Sequence, residues 1–207
     1  MIFISKFTEN LKVKGEWLEV LNDCRSTVSK DPLAKEPSEG FKKKILIAEH
    51  SPIREMSIKW VWPSIKSWVA THWVRHKWEC FVSTQRTDRT GVNRDELPQS
   101  APVKFTGDAN IQALIDTAKK RLCYQAAQET REYMEDLKCA IHEVEPEIAD
   151  VLVPNCVYRC GCPEKMGAPC EFFKNLNENN AGYLMTDDIQ ERYDIYNDWF
   201  YKHKGVM

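Results

Sequence analysis

Residues 54–62, REMSIKWVW, put Met56, Ile58, Trp60 and Trp62 on one side of an extended chain and Glu55, Ser57, Lys59 and Val61 on the other. A period of two is the alternation of side chains along a strand, so this segment predicts a half-buried strand with an aromatic inner face. Pro63 is expected to stop it, and Ser64 to cap a helix. Ile65, Trp68, Val69, His72, Trp73 and His76 then follow at i, i+3, i+4, i+7, i+8 and i+11, the stripe of an amphipathic helix. Arg75, His76 and Lys77 project from its last turn. The tryptophans at 60, 62, 68, 73 and 78 crowd this pair of elements, and their expected place is the core and a subunit interface.

Around that pair the periods are weaker. IFISKF near the start alternates as a strand would. Glu16 to Asn22 predicts a helix with Trp17, Val20 and Leu21 on one stripe, and Phe41 to Glu49 another, with a loop over 31–40 between them. Residues 88–108 are charged and aperiodic, and are expected to form an excursion or flap. From Ala109 to about Val144 the spacing predicts one long helix bent midway, ended by Pro146. DDIQERYDIYNDWFYK predicts an amphipathic helix in a polar tail. Helices with a few strands make the expected class α+β, as a domain over 1–170 with a helical extension over 171–207.

A net charge of −2 gives no basic field for nucleic acid, and no apolar run reaches membrane-spanning length. MIFISKF is too short and wrongly flanked for a secretory signal, so a cytoplasmic location is expected. The eight cysteines are read as mostly reduced thiols. Four of them, Cys156, Cys160, Cys162 and Cys170, are spaced C-x3-C-x-C-x7-C, without the C-x-x-C knuckle of common zinc sites. Plain thiols are the expectation there and no metal ligand is assigned, with a zinc or iron–sulfur site and a disulfide pair left open as alternatives. Gly161, Pro163, Gly167 and Pro169 indicate a tight, irregular loop.

Chemistry concentrates in residues 72–90, HWVRHKWECFVSTQRTDRT. A basic triplet is followed within about a dozen residues by Ser83, Thr84, Gln85, Arg86 and Arg89, a donor set suited to a phosphorylated or otherwise anionic ligand.

The order of four segments carries a resemblance. CRSTVS near Ser29 is similar to an A-x-R-V-S stretch, and EHSPIREMSIKW to H-x-S-P-x-E-H followed by an aromatic strand. RHKWECFVSTQR stands for R-H-R-x-x-S-x-N-E-x-S-x-R-Y, and EIADVLVPNCVY for A-R-x-x-L-P-x-x-x-Y. Together they resemble the flavin-dependent thymidylate synthase family across roughly residues 20–160. The match departs from the pattern at several positions. Lys77 replaces an arginine, Cys80 a serine, and Val82 and Ser83 an Asn-Glu pair. The final S-x-R falls on Thr84 and Arg86 or on Gln85 and Thr87. Asp150 stands where the family has a nucleotide-holding arginine, and Leu176 and Asn177 occupy the region of a later one.

The resemblance implies FAD held by Ser29, His50, Ser51, Arg75, His76 and Lys77. It implies dUMP, or a related pyrimidine nucleotide, held by His72, Ser83, Thr84, Gln85, Arg86 and Arg89. Arg75, His76 and Arg86 would be the catalytic residues. It further implies methylenetetrahydrofolate and NADPH as co-substrates, and a homotetramer with sites between subunits. A divergent member acting on another pyrimidine nucleotide, and a non-catalytic flavin- or nucleotide-binding module, stay open at this point. Asp150 favours the altered substrate, because like charges repel.

Overall fold

A four-stranded antiparallel sheet in the order β1-β2-β4-β3 carries the helices of a mixed α+β fold. The computed structural model describes residues 4–165, 170–179 and 186–206. The strands are β1 (Glu9–Lys14), β2 (Ser57–Lys66), β3 (Glu79–Val82) and β4 (Pro102–Asn110). Before the second strand come α1 (Trp17–Ser26) and α2 (Glu39–Ile47), then a 3-10 turn over Ser51–Glu55. Between strands lie α3 (Ser67–Trp73) and the single turn α4 (Thr87–Thr90). After the sheet come α5 (Ile111–Arg121), α6 (Gln128–His142), α7 (Pro146–Asp150), α8 (Asn155–Tyr158), α9 (Glu171–Asn179) and α10 (Ile189–Lys204). Among the described residues no helix is long and apolar enough to cross a membrane.

The aromatic strand is where its alternation puts it. Met56, Ile58, Trp60, Trp62 and Ile65 are all buried, and Trp62 packs on Trp73 of α3, Phe105 of β4 and Tyr133 of α6. Pro63 does not end it. The strand bulges between Trp62 and Ile65 and runs on to Lys66, so the expected cap at Ser64 is strand and α3 begins at Ser67. The helix also ends early, at Trp73, and Arg75, His76 and Lys77 lie in the turn beyond it.

The expected flap over 88–108 is corrected in its second half. Residues 102–110 are β4, paired on both sides between β2 and β3. Val103, Phe105, Gly107 and Ala109 face inward, and Gly107 is there because Trp60 fills its space: a Cβ at 107 would lie 2.3 Å from the Trp60 indole. The long helix over 109–144 is two helices, with a turn at residues 122–127. Asn110 caps the first, its Oδ1 accepting the Ala113 N–H at 2.9 Å.

IFISKF is not a strand over its described residues, and Ile2 and Phe3 lie outside them, as do Gly167 and Pro169 of the expected tight loop. Residues 5–8 instead hang on one carboxylate. Asp136 of α6 accepts the Ser5 hydroxyl at 2.6 Å and the backbone N–H groups of Lys6, Phe7 and Thr8 at 2.7, 3.2 and 2.8 Å. The strand that follows, β1, carries the left-handed Asn10 at its own bulge. The tail helix forms as expected, capped by Asp188 and closed by left-handed Gly205. It shares the core through Tyr193, Tyr196, Phe200 and Tyr201, and covers the fully buried Lys138. That ammonium donates to the Ala149 carbonyl at 2.6 Å and to Asn197 Oδ1 at 2.8 Å.

Candidate functional site

The turn after α3 is held by its own aromatic residue. Trp78 lies against Trp60 and stacks on Trp73, with ring centroids 5.1 and 5.8 Å away, and its indole N–H donates to the Trp73 carbonyl at 3.0 Å. With that peg in place the side chains of Arg75 and Lys77 stand in solvent while His76 turns inward. His76 Nε2 accepts the Nε–H of Arg121 at 2.8 Å, and the same guanidinium donates to the His72 carbonyl at 2.7 Å. Burial, and secondly the Arg121 charge, hold the His76 imidazole down to about 4. His76 is therefore neutral at neutral pH. Because Nε2 is the acceptor, the proton sits on Nδ1, which remains a donor.

This turn stands at one end of the sheet, where the ends of all four strands meet. Lys14 closes β1 opposite Ser57 at the start of β2, Ser57 pairs with Asn110 at the end of β4, and Asp108 pairs with Glu79 at the start of β3. These residues with His76, Lys77 and Trp78 line an open cleft of about 610 Å³. Asp108 is neutralised within it, by an ion pair to Lys14 and by the Ser57 hydroxyl donating at 3.1 Å. Among the described residues neither Arg75 nor Lys77 forms an ion pair. On its other side His76 borders a smaller hollow of about 260 Å³ shared with Arg121, Cys123 and Glu164.

Except for His72, the predicted substrate residues lie elsewhere. Ser83 follows β3 at its far end, exchanging bonds with Lys104: its N–H donates to the Lys104 carbonyl and its hydroxyl accepts the Lys104 N–H, both at 2.9 Å. Gln85 donates to the Pro102 carbonyl at 3.4 Å. Arg86 makes a two-pronged pair with Asp88, at 2.9 and 2.6 Å, and Thr84 and Arg89 are exposed. At about 3.3 Å per residue, β3 puts roughly 10 Å of strand between this group and the 75–77 turn.

The remaining positions divide. His72 belongs with the turn, its Nδ1 sharing a 2.7 Å hydrogen bond with the Thr130 hydroxyl, and its ring is held below the usual histidine range by burial and then by Arg121 and Arg75. His50 and Ser51 open the 3-10 turn that packs on α1 and α5 and leads into Ser57 of the cleft. Ser29 closes the turn after α1 in a left-handed conformation, with φ of 55°. Asp150 is not aimed at any of these groups. Its carboxylate accepts the Tyr201 hydroxyl at 3.3 Å and its carbonyl the Asn197 amide at 2.9 Å, so its partners belong to α10.

Arg121 escaped the sequence reading, though it carried a signal. Ile111, Leu114, Ile115 and Ala118 define the inner stripe of α5, and position 121 continues it one turn later. A guanidinium on a buried stripe must find acceptors. It finds His76 and the end of α3.

No family model and no curated protein matches the chain. Among solved structures, the UMP/dUMP methylase PolB from Streptomyces cacaoi, bound with 5-Br dUMP, is similar at a TM-score of 0.55. The likeness covers 70% of this chain and 93% of that one, at 14% identity. The chain shares that protein's fold.

Proposed function

We propose that the chain is a flavin-dependent thymidylate synthase, reductively methylating dUMP to dTMP with methylenetetrahydrofolate and NADPH in the cytoplasm. The observation that carries this reading is the Arg75-His76-Lys77 turn, pegged by Trp78 and Arg121 over a cleft at the sheet end, in a fold shared with a UMP/dUMP methylase.

The donor set fits a pyrophosphate-bearing cofactor. Arg75 and Lys77 are exposed cations with no internal claim on their charge, and the β4 carboxylate beside them is already neutralised. FAD, when bound, supplies the two-electron chemistry that the methyl transfer requires. Arg75 offers a planar fork to phosphate oxygens, and Lys77 a point charge. Neutral His76 offers its Nδ1–H without adding a third charge. The resemblance adds Ser29, His50 and Ser51 to that set, although none of the three lines the cleft.

The nucleotide is the task of His72, Ser83, Thr84, Gln85, Arg86 and Arg89. Gln85 presents both an acceptor and donors for a uracil edge, and Arg86 a fork for the phosphate. The resemblance implies a homotetramer, and in that assembly the turn of one subunit would meet the far end of β3 from another. A second reading, a different pyrimidine nucleotide as substrate, is favoured by Asp150, which stands in sequence where the resembled family has a nucleotide-holding arginine.

The test is the visible absorption spectrum of the purified protein, alone and with added FAD, followed by titration with dUMP. A bound-flavin spectrum that dUMP perturbs, followed by dTMP formation with folate and NADPH, is expected. A flavin spectrum that responds to UMP and not to dUMP would select the second reading. A chain that takes up no FAD would overturn both.

A further inference from the structure

His76 is a wall between two cavities. It borders the cleft at the sheet end and also the hollow of about 260 Å³ behind it, to which the proposed reaction gives no part. The hollow is lined by two cations, Lys120 and Arg121, against one carboxylate, Glu164, while His76 is neutral. That carboxylate is loosely engaged. Lys120 and Glu164 meet at 3.9 Å, with about half of each side chain in solvent. A pair of this kind contributes little to stability and yields readily to a better-placed anion.

Arg121 carries the stronger signal. It is half-buried in the last turn of α5, and burial, followed by the charge of Arg75, works against its ionised form. Its partners are nonetheless uncharged: His76 Nε2, the His72 carbonyl, and the face of Trp73, with the guanidinium 5.8 Å from the ring centroid. Among the described residues no carboxylate forms an ion pair with it. A guanidinium drawn out of water is ordinarily matched by an anion. The C-terminal end of α3, whose carbonyl it takes, offsets only part of a charge. The bonds to His76 and His72 occupy two of the N–H donors of a side chain that has five, and the others can face a ligand.

We propose that this hollow is an oxoanion site, in which Arg121 supplies a fork and Lys120 a point charge to a phosphate or carboxylate group. Glu164 releases Lys120 as the anion enters, and the Gln125 amide on the same wall adds a neutral donor. The site lies outside the cleft assigned to flavin and does not rest on that assignment. The two adjoin at His76, because the imidazole that borders the cleft accepts its bond from the guanidinium that holds the anion.

The experiment titrates inorganic phosphate into the full chain at low ionic strength, with calorimetry reading affinity and the imidazole NMR signals reading place. One phosphate per chain is expected, with a shift of the His76 signals. Lys120→Ala should weaken binding by about tenfold, the loss of one charge-assisted hydrogen bond. Arg121→Lys, which keeps the charge and loses the fork, should weaken it too, and Glu164→Gln, which frees Lys120, should tighten it. Lys77→Ala, on the cleft side of His76, should bind phosphate as the wild type does. Circular dichroism reports the fold of each variant. Phosphate that leaves the His76 signals in place overturns the site, as does binding lost in Lys77→Ala and kept in Lys120→Ala, or uptake that never saturates, the mark of an adventitious ion only. NADPH and methylenetetrahydrofolate, added separately, distinguish the sources of the anion. A co-substrate that expels phosphate brings the charged group itself, and phosphate that stays beside both is a free ligand; each result upholds the site. Flavin uptake is read by absorbance on the same samples, so a chain that binds phosphate here without flavin would overturn the synthase reading alone.

Discussion

The two ends of β3 are built in opposite ways. At its start an indole peg, a buried guanidinium and a neutral imidazole fix the turn that presents Arg75 and Lys77. At its far end Arg86 and Arg89 stand in solvent around one carboxylate, Asp88, with little beneath them. The first end uses its packing for orientation and, among the described residues, leaves Arg75 and Lys77 without an ion pair. The second satisfies its cation locally, with a fully exposed pair that another anion can readily replace. A rigid half and an adaptable half suit a site that closes only when cofactor, nucleotide and neighbouring subunit come together.

Glycines at the two ends break the comparison most sharply. Gly107→Ala should drive a methyl into the Trp60 indole on which Trp78 rests, costing about 3 kcal/mol in urea unfolding. Gly91→Ala, at the far end, meets no atom within 4 Å and bears only the left-handed backbone, for a loss of about 1 kcal/mol. Equal losses would mean that the aromatic peg does not bear the sheet end.

Arg75→Ala should abolish flavin retention with an unchanged melting temperature, read by absorbance after gel filtration; full retention would sink the assignment. A smaller effect is expected with pH. Because the folded imidazole of His76 titrates near 4 and the unfolded one near 6.5, the unfolded chain binds the extra proton first as the solution is acidified. The contribution of His76 to stability is full above 6.5 and falls as pH drops toward 4. His76→Gln should flatten that part of the melting profile, and an unchanged slope would locate the dependence elsewhere. Smallest of all, Arg86→Ala should leave flavin uptake intact and weaken only the response to dUMP, a split that binding titrations resolve.

Much of this was legible in the chain. Trp60 and Trp62 announced β2, Trp17, Val20 and Leu21 announced α1, and the basic triplet was found as a triplet. β4 was missed because its inward positions end in Gly107 and Ala109, which have no apolar bulk to register as a period of two. That smallness is a response to Trp60, and a strand's accommodation of its neighbour is not written in either strand alone. The cap at Ser64 was a sound local choice overridden by a bulge that keeps Ile65 in the sheet. Arg121 and the separation of Lys77 from Ser83 are tertiary facts. The first needs the α5 stripe laid against α3, and the second needs to know that residues 79–82 are extended.

The carboxylate that gathers residues 5–8 has a kinetic meaning. Its partners lie 128 to 131 positions away along the chain, so this contact closes a loop longer than half the protein. Long loops gain their contacts late, after local helices and hairpins have formed. The stretch leading into β1 is thus a latch thrown after α6 exists, and it opens when α6 opens. Hydrogen exchange would show it directly: the amides of Lys6, Phe7 and Thr8 should exchange together with the middle of α6, and an Asp136→Ala chain should release them while α6 itself stays closed.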